Sequence, residues 1–137
     1  MIALLLALAM PAVDQNVLDP AGAIALADAH PNRASSGTFR MRIAETARTD
    51  DAVFLNSSDD YRAPGDVTFA MRPIVAKTLE KRFGAPPETY LRGRTVTVRD
   101  KIRARAIANL VAGRPHSLAR WQYTVPIQTA DQIIAVE

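Results

Sequence analysis

Period-two alternation of apolar and polar side chains is the strongest constraint that this sequence places on its fold. Phe39, Met41 and Ile43 alternate with Arg40 and Arg42, Val53 and Leu55 with Phe54 and Asn56, and Val67, Phe69 and Met71 follow the same rule. Residues 95–105 repeat it, with Val96, Val98, Ile102 and Ala104 opposite Thr95, Thr97, Arg99, Lys101, Arg103 and Arg105. A strand with one face in a core and one in water has this pattern. Residues 116–125 are expected to add a fifth strand after the turn at residues 112–115, and residues 133–136 a closing segment. Between the third and fourth strands the period changes: Val75, Leu79 and Phe83 lie four apart, which predicts a helix opened by Pro73 and capped by Gly84, with Pro86 and Pro87 preventing its continuation.

Three meandering strands, a helix and two further strands match the order of the five-stranded OB-type Greek-key barrel, whose helix plugs one end. Closure removes exposed strand edges, and the plug covers the apolar opening that closure leaves. A ferredoxin-like layer needs a helix between the first two strands, where this chain has only the turn at residues 48–51. With 137 residues, 48% of them hydrophobic, the chain is expected to build one core without disulfides or structural metal. It has no cysteine, so thiolate ligands and thiol nucleophiles are excluded.

The first 37 residues read differently. Residues 2–10 are an unbroken apolar run followed by Pro11-Ala12 and the polar Asp14-Gln15-Asn16, the order of a signal peptide's apolar core and cleavage region, although no Lys or Arg precedes it. A buried N-terminal strand or helix is the alternative. Asp19 and Pro20 have the form of an N-cap and first helical residue, so residues 21–29 are expected to be a short helix and residues 32–37 a loop. The expected organisation is a signal-like segment at 1–12, a helix and linker at 13–37, and the barrel at 38–137. Such a chain is expected to be exported, to the periplasm or beyond, with no transmembrane segment once mature.

Charge is segregated along the chain: residues 72–120 hold 12 basic and 3 acidic side chains, while residues 1–71 hold 5 and 9. A basic half of this kind is either a solvated strand face or an attractor of phosphates, acidic polysaccharide or a membrane surface. Asp100 falls in phase with the buried side of its strand. A β-bulge there is the preferred expectation, and a buried carboxylate with a partner is the alternative.

Groupings that carry covalent or metal chemistry are not evident. His30 and His116 lie far apart in sequence, and Asn56, Asp59, Asp60 and Asp66 lack the spacing of a calcium loop. Ser57, Ser58 and Ser117 have no activating context, and Gly93 and Gly113 belong to no phosphate-cradling loop. No catalytic residue, metal site or cofactor is therefore expected, and a metal-dependent hydrolase is kept only as an alternative. The expected function is non-enzymatic binding of an unknown ligand or protein partner, with nucleic acid not the favoured one.

The generic ligand face of an OB barrel maps here to Phe54, Asn56, Tyr61, Arg62, Thr68, Arg114 and His116. Stacking on Phe54 or Tyr61 beside Arg is how such a face holds single-stranded nucleic acid or sugars. The alternative is a polyanion or single-stranded nucleic-acid binder that uses the stripe Arg99, Lys101, Arg103 and Arg105. Tyr123 is expected in the barrel wall, with Trp121 either beside it or facing solvent.

Val53-Phe54-Leu55-Asn56-Ser57 with Asp60-Tyr61-Arg62, then Val67-Thr68-Phe69, Gly93-Arg94-Thr95-Val96-Thr97-Val98, Gly113-Arg114-Pro115 and Asp131-Gln132-Ile133 together resemble a group of small exported bacterial proteins with an OB-like domain and no assigned activity. The likeness covers residues 38–137. It departs from the group's pattern at Asp100, where Gly is expected, and at Asn109-Leu110-Val111, where an aromatic-rich approach is expected. What it implies is a fold and export, and little about function.

Overall fold

The computed structural model describes residues 16–137, so the signal-like segment at 1–12 and the first residues of the linker lie outside the described residues. The described chain is mainly β, with eight strands and three α-helices. β1 (Val17–Leu18) and α1 (Pro20–Ala29) are followed by β2 (Ser35–Arg42), β3 (Glu45–Arg48), β4 (Val53–Asn56) and β5 (Val67–Met71). Then come α2 (Pro73–Phe83), α3 (Pro87–Tyr90), β6 (Thr95–Val111), β7 (Arg114–Ile127), a 3₁₀ turn (Ala130–Gln132) and β8 (Ile133–Val136).

The strands form one curled mixed sheet in the order β1-β2-β6-β7-β5-β4-β3, with β8 also on β6. β6 is long enough to serve two neighbours. Its first half pairs antiparallel with β2, from Arg42↔Thr95 to Ser35↔Ile102, and its second half pairs with β7 from Arg103↔Thr124 onward. β5 pairs parallel with β7, Val67 opposite Tyr123 and Met71 opposite Ile127. β2, next to one end of this path, runs into β3, at the other end, through a bend. Ile43 N–H donates to the Arg94 carbonyl (2.9 Å) while the next residue, Ala44, donates to the Asn56 carbonyl (2.9 Å), so the chain leaves β6 and joins β4 within one step.

The alternation places the core as expected. Phe39, Met41, Ile43, Val53, Leu55, Val67, Phe69, Met71, Val96, Val98 and Ile102 are all buried, and Arg40 and Arg42 are exposed. α2 turns Val75, Ala76 and Leu79 into this core, and Gly84 ends it at φ 76°, where a side chain would strain the backbone. α1 is capped by Asp19, whose carboxylate accepts from Gly22 N–H (2.8 Å). It buries Ala23 and Ala27, one helical turn apart. The helix lies close over β2: a Cβ on Gly37 would stand 2.8 Å from the Phe39 ring and 3.3 Å from Leu26.

Several details differ from the sequence reading. The five strands expected are eight, because the first is divided into β2 and β3 by the bend at Ile43 and Ala44, because residues 17–18 form a short parallel strand, and because the closing segment is a strand in its own right. Pro87 does not only stop α2 but opens a second helix, the single turn α3, so the one helix expected between the third and fourth strands is two. Strand pairing begins at Ser35, inside the expected loop. Asp100 sits in an unbroken register opposite Gly37, and no bulge forms there; its carboxylate, half-buried, accepts from the Gln132 side-chain amide (2.8 Å). The irregularities of β6 fall at Thr97/Val98 against β8, and at Ile107/Ala108 and Asn109/Leu110 against β7.

Candidate functional site

The polar side of the alternation faces outward on β4, β5, β7 and the second half of β6, and there the sheet carries two adjoining hollows. The smaller, of about 360 Å³, is lined by Ala47, Thr49, Phe54, Asn56, Tyr61, Thr68 and Gln122. The larger, a cleft of about 750 Å³, is lined by Phe54, Ala70, Lys101, Arg103, Arg105, Gln122 and Thr124 among others, with Asp100 at one side. Phe54 and Gln122 wall both, so the two hollows adjoin across these side chains.

The register explains this meeting. Phe54 stands opposite Ala70 across β4 and β5, and Ala70 stands opposite Pro126 across the parallel pair, two residues from Thr124. Thr124 and Gln122 face Arg103 and Arg105 across the hairpin. The basic half of the sequence is thereby folded beside the aromatic of β4.

Four of the seven residues assigned to the ligand face, Phe54, Asn56, Tyr61 and Thr68, line the smaller hollow, and Arg62 joins them through Tyr61. The Arg62 guanidinium lies 5.3 Å from the Tyr61 ring centre and donates to its hydroxyl (3.2 Å). A second guanidinium, Arg120, lies 5.5 Å from the same ring. Cations at this distance from a ring are held by its quadrupole, so Tyr61 orders two positive groups at the mouth. Of the polyanion stripe, Lys101, Arg103 and Arg105 line the cleft and Arg99, opposite Thr38 on β2, does not.

Arg114 and His116 are placed elsewhere. β6 and β7 run past the sheet as a two-stranded arm, turning at Ala112 and Gly113, both at positive φ (51° and 76°), a two-residue turn whose twist suits a hairpin. Arg114 pairs with Val111 at its end, about 20 Å from Arg105 at ~3.3 Å per residue. His116 lines a separate groove with Ala106, Ala108, Pro115, Ser117 and Leu118. Tyr123 is in the wall, buried, and Trp121 faces solvent.

Beneath the smaller hollow the polar groups are buried and fully connected. Asp66 Oδ1 accepts from Ser58 N–H (3.0 Å) and Ser58 Oγ (2.7 Å), and Thr68 Oγ1 lies 2.9 Å from Asp66 Oδ2 and 2.8 Å from Asn56 Oδ1. Burial pushes the Asp66 carboxyl above the usual carboxylate range, against the opposing pull of the Ser58 and Thr68 hydrogen bonds. Asn56 and Thr68 therefore form a rigid floor, while Phe54, Tyr61 and the Arg side chains are the groups free to touch a ligand.

The sequence reading missed Arg120, Gln122 and Thr124. The signal was present, because these three alternate with Trp121, Tyr123 and Val125 and so had to occupy the outer face of the fifth strand. Among the described residues no group of three or more His, Cys, Asp or Glu side chains is placed to hold a metal ion. No described helix is long and apolar enough to cross a membrane.

No family model matches the chain, and no curated protein does. Among solved structures it is similar to a putative aspartyl-tRNA synthetase from Leishmania major Friedlin, with 11% identity and a TM-score of 0.42 over 84% of this chain and 21% of that one. The chain thus spans about a fifth of that protein's length.

Proposed function

We propose that this chain is an exported, non-enzymatic binding module of the OB type whose two adjoining outer hollows together take a single-stranded, base-bearing polyanion. The observation that carries the reading is the sharing of Phe54 and Gln122 by the aromatic hollow and the basic cleft. A base stacks on Tyr61 or Phe54, and the phosphates that follow run along Lys101, Arg103 and Arg105. Stacking tolerates any base because each has a π face, and the guanidinium groups flanking Tyr61 reinforce it.

The OB assignment is supported by counting β2 and β3 as one bent strand. The five principal strands then pair first with second, second with third, third in parallel with fifth, fifth with fourth and fourth with first, with α2 between third and fourth. That is the connectivity of the Greek-key barrel whose second and third strands carry the ligand surface. Export rests on the apolar run at residues 2–10 alone.

Fluorescence anisotropy of a labelled oligothymidylate across a salt series tests the binding. Three phosphate contacts give a slope of log K against log salt of about −2, at roughly −0.7 per contact for single strands. Absence of binding at low salt would overturn the reading.

A further inference from the structure

A further hollow lies on the face of the sheet opposite the basic cleft, where the C-terminal end of α1 packs against the root of the β6–β7 arm. It has a volume of about 330 Å³ and is lined by Ala27, Asp28 and Pro31 on the helix side and by Ala104, Trp121 and Tyr123 on the sheet side. The register builds the sheet wall. Ala104 pairs with Tyr123 and Ala106 with Trp121, so these side chains share the face that Arg103 and Arg105 do not. Ala27 and Ala104 are small and buried, which leaves room between helix and strands, and Trp121, 41% exposed, borders that room.

The lining has the opposite sign to the cleft. Asp28 is its one charged side chain, and no Lys or Arg takes part in it. The Tyr123 hydroxyl donates to Asp28 Oδ1 (2.8 Å), which fixes the carboxylate, and among the described residues Oδ2 has no hydrogen bond and Asp28 enters no ion pair. α1 has no basic residue in its last turn, so the partial negative charge of its C-terminal end is not offset there either. His30 and Arg33 follow the helix but line no wall of the hollow. Arg120, next to Trp121 in the chain, is turned to the other face, over the Tyr61 ring.

Aromatic rings, a carboxylate and the negative end of a helix all attract a cation. The rest of the lining selects which cation. A primary ammonium brings three N–H donors and a guanidinium five, and beyond Asp28 and the Tyr123 hydroxyl the lining side chains hold no acceptor for them. Donors left unmade on entry cost free energy. A methylated ammonium has none to satisfy, and its methyl groups can pack on Ala27, Pro31 and Ala104. We propose that this hollow binds a quaternary ammonium group, seated against the Trp121 ring with Asp28 as its counter-charge. The volume is at the lower end of the range of roughly 300–1,000 Å³ for ligand sites, which suits one such group. The site is independent of the oligothymidylate surface, because none of its six lining residues belongs to the cleft or to the smaller hollow.

Trp121 is the sole tryptophan, so its emission reports occupancy. The full chain is titrated at constant ionic strength with choline, with neohexanol, its uncharged isostere in which carbon replaces nitrogen, and with butylammonium. The expected result is a saturable change of emission with choline, and binding about fivefold weaker with neohexanol, which lacks the charge. Butylammonium is also expected to bind more weakly than choline. Asp28→Asn keeps an acceptor for the Tyr123 hydroxyl and is expected to weaken choline binding about fivefold, with thermal unfolding followed by circular dichroism to show that the fold is retained. Trp121→Leu, for which binding is read from the methyl resonance of choline, is expected to weaken it by a similar factor, about fivefold. Sedimentation with phosphatidylcholine vesicles that choline competes away assigns the group to a lipid headgroup, and choline binding without sedimentation assigns it to a free solute. No response to choline, neohexanol or butylammonium bound as tightly as choline, or either variant binding as the wild type does overturns the proposal.

Discussion

Phe54 on β4 and Gln122 on β7 both wall the aromatic hollow and the basic cleft, although 68 positions separate them in the chain. The parallel pairing of β5 with β7 brings them together, since it inserts one strand between them and aligns the polar side of β7 with the outer side of β4. Each half of that surface has its own measurable signature.

Replacing Tyr61 removes a stacking face and frees Arg62 and Arg120 from their common ring. Tyr61→Ala is expected to weaken oligothymidylate binding by about 1–3 kcal/mol with the salt slope nearly unchanged. Arg103→Ala with Arg105→Ala is expected to do the reverse, lowering the magnitude of the slope by about 1.4. Anisotropy titrations at several salt concentrations separate the two effects.

The buried network beneath the hollow makes a pH-dependent contribution. Thr68 Oγ1 has one proton and lies within reach of both Asn56 Oδ1 and Asp66 Oδ2. A protonated Asp66, or an Asn56 amide turned to present its NH₂, supplies the missing donor. Because burial raises the Asp66 carboxyl, the folded chain holds this proton more tightly than the unfolded chain. Its contribution to stability is therefore full below the ordinary carboxylate value of about 3.9 and falls as pH rises through its raised folded value. Asp66→Asn should keep the network and remove this pH dependence, whereas Asp66→Ala should cost about 1–3 kcal/mol by stranding Ser58 N–H and its neighbours. Urea unfolding across the acid range measures both.

Tyr123 ties α1 to the sheet, its hydroxyl donating to Asp28 Oδ1 at 2.8 Å. Burial, together with the Asp28 carboxylate, pushes the phenol up to about 12. The unfolded chain ionises this group near pH 10, so the stabilisation is complete below that value and is lost as pH climbs toward 12. An ultraviolet titration of phenolate should find Tyr123 ionising above its ordinary range. Tyr123→Phe should cost about 1 kcal/mol near neutrality and abolish that late step.

Gln132 holds three segments at once. Its amide nitrogen donates to Asp100 Oδ2 (2.8 Å) and its oxygen accepts from Gln128 N–H (2.7 Å) and Thr129 N–H (2.9 Å). Gln132→Ala is expected to lower stability by about 1–3 kcal/mol. Gln132→Glu keeps the acceptor but sets a second carboxylate against Asp100. Its loss of stability should shrink when the pH is lowered until carboxylates are protonated, which denaturant midpoints at two pH values would register.

Much of the fold is legible in local pattern, and the failures have physical causes. α2 is marked at both ends by Pro73 and Gly84 and along its length by Val75 and Leu79, so helix, cap and buried face agree. β3, with the sequence Glu-Thr-Ala-Arg, has no apolar alternation to reveal it. Backbone pairing with β4 forms it, and the two-pronged ion pair of Arg48 with Glu88 (2.6 and 3.0 Å) fastens it to α3. The arm is hard to read because both its faces meet water and its register shifts twice, so no single period runs through residues 105–120. At the site, the aromatic set and the basic stripe were each visible as alternating outward residues. Their union was not, because it depends on a parallel pairing between strands separated by two helices and a third strand, and side-chain periodicity carries no information about that.

The central claim is that these two sets act as one surface, and amide chemical-shift mapping of an isotopically labelled chain during titration with oligothymidylate tests it most directly. The expected result is coincident perturbation of Phe54, Ala70, Arg103, Arg105, Gln122 and Thr124, saturating together. Perturbation confined to the exposed cations Lys77, Lys81 and Arg82 of α2, or to the arm tip beyond Asn109, would contradict it.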